Sequence, residues 1–165
     1  MSVISSRPIP ERIAAEIESR VAALQTGIKP NTHLVDVLRP KRIDTFTPQH
    51  MLAVISSQDP EYNEEISCEG NPPANGYDQR FEIAVYLMPS EKDPTPIETF
   101  ANTVAADVCE SLTDSGQGWH SMGGLCIDTR ILSYEYMDAS GGVDGIIIPL
   151  VVTYRVSERS WYESR

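Results

Sequence analysis

This chain has little with which to do covalent chemistry. Its three histidines (His33, His50, His120) and three cysteines (Cys68, Cys109, Cys126) share no metal-ligand spacing, so no zinc site is written in the pattern. No serine sits in a G-x-S-x-G turn, and no phosphate-binding P-loop is present. Basic residues are scarce: thirteen stand against twenty-four acidic ones, a net charge of −11. Direct binding of nucleic acid, which needs a positive surface, is set aside on that ground. Long apolar runs are missing too. No segment approaches the ~20 apolar residues that cross a membrane, and the opening "MSVISSRPIPERI" has no signal-peptide core. The odd, scattered cysteines read as reduced thiols in a cytosolic protein, not as a disulfide framework. The expectation is a protein without metal, cofactor or membrane association, and not an enzyme.

What is present fits one domain over residues 1–165, with twelve prolines and ten glycines placing much of the chain in turns. Ile13, Ile17, Val21 and Leu24 recur at helical spacing, with Pro10 in the first turn and Gly27 as the stop. "HLVDVLR" and "HMLAVISS" read as short strands. "YDQRFEIAVYLM" alternates: Tyr77, Phe81, Ile83, Val85 and Leu87 face one way, Asp78, Arg80 and Glu82 the other. Thr95-Pro96-Ile97-Glu98 is a capping box that opens a second helix, with Ile97, Phe100, Val104, Val108 and Leu112 as its buried stripe. "LCIDTRILSYEYM" and the closing strand follow, joined by the glycine-rich "DASGGVDG". This order predicts an α+β fold: a two-layer sandwich of one antiparallel or mixed sheet, about 4–5 strands, with two helices on one face.

Three stretches ask for a function. Residues 57–76, "SQDPEYNEEISCEGNPPANG", hold five acids and three prolines with no period. They are expected to form a long mobile loop. Asp59, Glu61, Glu64, Glu65 and Glu69 lack the glycine-pivoted pattern of a calcium loop. With Tyr62, the first four are instead candidates to line a lumen or face a neighbour. "GQGWHSMGG" follows a helix and precedes a strand, the reverse of a phosphate-binding turn, so Trp119 and His120 mark a connection. The closing strand is apolar on both faces. Ile146, Ile148, Leu150, Val152, Tyr154 and Val156 form one, and Ile147, Pro149, Val151, Thr153 and Arg155 the other. A proline there suits a sheet edge or a bulge. The remaining residues, 157–165, read as a contact tail outside the core. Trp161, Tyr162 and Arg159 are of the types enriched in interface hot spots.

The layout resembles the tail terminator (tail completion) proteins of long-tailed phages and phage-like particles. The likeness covers an N-terminal amphipathic helix, strands ending in proline turns, and a variable loop before an alternating strand. It continues through a "PIETFANTVAADVCESL" helix and a last hairpin closing on "VVTYRVSE". The resemblance implies a noncatalytic virion protein, assembled in the host cytoplasm. It would form a homo-hexameric ring on the tail tube protein and meet a head–tail connector or stopper protein, with DNA only as passing cargo. It also implies a partner-facing end at Tyr154 and Arg155, continued by Arg159, Trp161 and Tyr162; Pro149 is a further candidate contact on the same strand. Three other readings stand beside it: another neck protein (connector, stopper or adaptor), a small-ligand-binding or enzymatic α+β domain using the Trp119–His120 turn and the long loop as a pocket, and a generic oligomeric accessory domain outside phages.

Overall fold

Strand-forming and helix-forming periods alternate along the chain as read above, but the strands are more numerous. The computed structural model describes residues 7–26, 36–38, 51–68, 73–87, 96–113, 120–137, 144–158 and 160–164. Helix α1 (Ile9–Ala22) runs through a 3-10 turn (Ala23–Thr26) toward strands β1 (Asp36–Leu38) and β2 (Leu52–Ser57). Then come β3 (Glu61–Tyr62), a second 3-10 turn (Glu64–Ile66) and the long β4 (Ala74–Tyr86). Helix α2 (Ile97–Thr113) precedes β5 (Asp128–Ile131), β6 (Glu135–Met137), β7 (Gly145–Ser157) and β8 (Ser160–Ser164). The Thr95 cap of α2 lies outside the described residues, as do Gly27, His33, His50 and Trp119.

All eight strands join one sheet, in the order β1-β2-β4-β7-β5, with β3 beside β4 and with β6 and β8 beside β7. Among the described strands, only β1 and β2 run parallel. The class is therefore α+β, and the expected four or five strands is an undercount. Two bulges account for much of the excess. Between Ser57↔Phe81 and Glu61↔Asp78, three residues (58–60) face two (79–80), which separates β2 from β3. Between Ile131↔Leu150 and Glu135↔Ile147, three residues (132–134) face two (148–149), which separates β5 from β6. Pro149 explains the second break. Its carbonyl accepts from the Leu132 N–H at 2.9 Å, so its missing N–H falls on the same side and the reciprocal bond cannot form. Pro149 thus lies in an interior strand, opposite a bulge in its neighbour and away from any sheet edge.

Both helices cover one sheet face. The even-numbered residues of β7 from Ile146 to Val156 are fully buried beside Phe81, Ile83 and Val85 of β4 and the α1 stripe Ile9, Ile13, Ile17 and Val21. On α2 the buried stripe includes Ala101 and Ala105, small residues that the reading of large apolar side chains omitted. No described helix is long and apolar enough to cross a membrane.

One buried charge ties the helices together. Arg20 is 8% exposed; its Nε donates to Glu16 Oε1 at 2.8 Å, and its Nη1 donates to the carbonyl of Leu112 at 2.8 Å. That carbonyl belongs to the last turn of α2, where carbonyls lack helical partners and positive charge is favoured. Arg20→Leu removes the charge-assisted bond and strands the carbonyl. The expected cost is about 1.5–3 kcal/mol in urea unfolding; an unchanged midpoint would show that the pair is idle.

Candidate functional site

The stretch 57–76 is a folded arm wherever it is described, which corrects the expectation of a structureless loop. Asn63 organises it. Its Oδ1 accepts from the Glu65 N–H at 3.0 Å, capping the 3-10 turn, and its Nδ2 donates to Asp78 Oδ2 at 2.8 Å. Its carbonyl accepts from Ser67 Oγ at 2.8 Å, and that oxygen accepts from the Gly76 N–H at 2.9 Å. Cys68 and Ala74 exchange both backbone bonds, at 3.0 and 3.1 Å. Arg155 reaches across from β7 and donates through Nε to the carbonyl of Ile66. Gly76 is glycine for a steric reason: a Cβ there would lie 2.2 Å from Ile66 Cγ1 and 2.9 Å from the Asn63 carbonyl oxygen. Composition pointed to mobility because the acids are outward-facing, while the arm is held by turn residues and backbone pairing.

The tail is folded as well. β8 turns back on β7, pairing Ser157 with Ser160 and Val156 with Ser164. The ring of Trp161 lands 4.7 Å from that of Tyr77. On Tyr77 also converge Tyr62, edge-on at 5.9 Å, and Tyr154, stacked at 6.0 Å. The arm and the tail, singled out separately in the sequence, therefore meet on one ring. Tyr77 is the joint that sequence reading missed; it was taken only as a strand residue facing the core.

The sequence-marked residues divide accordingly. Tyr62, Trp161 and Tyr162 are 60%, 40% and 41% exposed and share this end of the sheet. Asp59, Glu61, Glu64 and Glu65 are exposed. Tyr154 is not partner-facing: it is fully buried and donates from its hydroxyl to Gln79 Oε1 at 3.1 Å. Pro149 is buried in mid-strand, and Arg155 is committed to the arm. Arg159 lies outside the described residues. A further exposed apolar group runs along β5 and β6 and was not foreseen: Ile127, Leu132, Tyr134 and Tyr136.

The turn before β5 holds the remaining titratable cluster. Met122, Gly123 and Gly124 have φ of 47°, 70° and 88°. Glycine takes such angles freely, whereas Met122 is held there with its side chain sunk in the core. The His120 carbonyl accepts from Thr129 Oγ1 at 3.0 Å and Cys126 Sγ at 3.1 Å, and His120 Nδ1 stands 3.3 Å from Asp128 Oδ1. Burial pushes the Cys126 thiol above its ordinary range, as it does Cys109, which makes both poor nucleophiles. Among the described residues, no three His, Cys, Asp or Glu side chains are grouped to hold a metal ion. No family model matches this chain, and no curated protein matches it in sequence.

Two outcomes follow for the aromatic cluster. Removing residues 157–165, expected from sequence to leave stability unchanged, should instead cost about 1–2 kcal/mol, because Tyr77 loses the tilted Trp161 ring packed against it. Trp161→Ala should reproduce most of that loss in urea unfolding; no loss in either would mean that the tail is a spectator. Tyr154 gives a pH signature. Burial first, then neighbouring Tyr77, raise its phenol well above the ordinary tyrosine value. Its contribution is therefore complete below a pH of about 10 and is lost as pH climbs past it, where the unfolded chain ionises and the folded one resists. The unfolding midpoint of Tyr154→Phe should fall less between pH 8 and about 10.5 than that of the parent. Parallel curves would contradict the burial argument.

Proposed function

We propose that this chain is a noncatalytic structural subunit of a ring that caps the tail tube and joins it to the head connector in a tailed phage or phage-like particle. The observation that carries the proposal is the joined aromatic surface: Tyr62 from the arm and Trp161 from the tail flank Tyr77 and remain 60% and 40% exposed. Tyrosine and tryptophan on a rigid support are what subunit contacts concentrate at their centres. A ring built head to tail also needs a second, different surface. The apolar residues along β5 and β6 supply one. The element order and terminal segment that resemble the tail terminators agree with this use, and an acidic subunit suits a channel through which DNA passes without sticking. The partners in this reading are neighbouring copies, the tail tube protein and a connector or stopper protein.

Tyr62→Ala is the sharper test, because Tyr62 is mostly exposed and its loss should shift stability by only about 0.5 kcal/mol. In a complementation assay, heads and tails should accumulate unjoined, with joined particles reduced about tenfold or more, since one interface aromatic is worth ~2 kcal/mol. Normal yield of joined particles from a folded Tyr62→Ala, Trp161→Ala double variant would overturn the proposal.

A further inference from the structure

The sheet face opposite the helices has a shape and a charge that the ring reading does not use. The two bulges flank the β4–β7 pair, residues 58–60 opposite 79–80 on one side and 132–134 opposite 148–149 on the other, offset along the pair because 79–80 are in register with 151–152. Bulges bend their strands and add twist. Between them lies a cavity of about 250 Å³ that opens to solvent and includes Asp59, Glu61, Asp78, Arg80, Leu132 and Val151 in its lining. Val151 is half-buried at the centre of β7, and Leu132 is 51% exposed at the rim. The apolar row continues along β7 through buried Pro149 to half-buried Ile147, and both described helices pack on the other face.

The charges do not balance. Asp78 is fixed, accepting from Asn63 Nδ2 and from Thr153 Oγ1, while Asp59 and Glu61 present exposed side chains. The cation in the lining, Arg80, already has its Nε 3.2 Å from Glu82 Oε1. Three carboxylates thus surround an aliphatic floor with one guanidinium between them, itself paired. That combination matches a long side chain with an apolar stem and a positive head. A second copy meeting this face with its own would set carboxylates against carboxylates, and the chain as a whole carries −11. We infer that the open sheet face is a docking surface for a different protein, one that inserts a lysine or arginine flanked by apolar residues between the two bulges. The inference does not use the Tyr62–Trp161 end of the ring reading, and it shares Leu132 with the β5–β6 apolar group.

The test is an amide-resonance titration of the full chain with a capped pentapeptide alternating valine with lysine and arginine. The same peptide with glutamate as its charged residue, and spermidine, serve as comparisons. The basic peptide should shift Arg80, Leu132 and Val151 saturably, and the acidic one should not. Asp59→Asn with Glu61→Gln should weaken the basic peptide by about tenfold or more, equivalent to 1.4 kcal/mol. Leu132→Ser should weaken the peptide but leave spermidine unaffected, which separates docking from attraction of any cation. All of these positions are on the surface, and the spectra themselves report whether the fold survives. Shifts spread evenly over the acidic surface, indifference to the carboxylate substitutions, or spermidine binding as tightly as the peptide would each overturn the inference.

Discussion

Everything in this molecule hangs on the antiparallel pairing of β4 with β7, in register from Ala74↔Ser157 to Tyr86↔Gly145. Each of these strands is thirteen residues long, more than twice the length of an ordinary strand. One face of the pair is the floor of the core, where Phe81, Ile83, Val85, Ile148, Leu150 and Val152 meet the helices. Its two outer sides receive every other strand except β1. At the Ala74–Ser157 end, other elements add to the cover that α1 gives. The arm of residues 57–68 and the returning strand β8 do this, closing over Tyr77 and Tyr154 with Tyr62 and Trp161. The region proposed for partner contact is thus one end of the long pair, where Tyr62 and Trp161 cover Tyr77 and stay half in water.

The same pair sets the character of the open face. Sheet strands covered on one side alternate apolar and polar residues, and β4 does so with Asp78, Arg80 and Glu82 outward. β7 does not, since Ile147, Pro149 and Val151 point the same way. An apolar row beside a charged row, bounded by bulges, is a surface with a direction and a sign. Pro149 contributes twice, removing the donor that would have kept β5 and β6 continuous and supplying part of the apolar row.

How much of this could be read from the residues depends on the range of the interactions. The α1 stripe, the alternation from Tyr77 to Leu87 and the apolar closing strand follow from local periods, and each falls in the element expected. Tyr154 and Trp161 show the limit. Seven residues apart, both were candidates for partner contact, yet one is fully buried and the other 40% exposed. Pairing with Tyr77 decides between them, and no local pattern encodes that pairing. The arm was misread for a similar reason. Its acids advertise solvent, but Asn63, Ser67 and Gly76 lock it by contacts that depend on Asp78 and Arg155, residues 15 and 89 positions from their partners. Arg20 was not singled out at all; a lone arginine on a helix is usually solvated, and its partner is a carbonyl 92 residues away.

The central claim is that this chain builds a ring whose subunits meet through the Tyr62–Trp161 surface. Imaging of complete particles at the junction of tube and head, with the rings averaged at side-chain detail, tests it most directly. A hexameric ring of this chain with Trp161 and Tyr62 packed against the neighbouring copy is the result expected. A single copy, a ring of other symmetry, or a hexamer that leaves Tyr62 and Trp161 in solvent would contradict it.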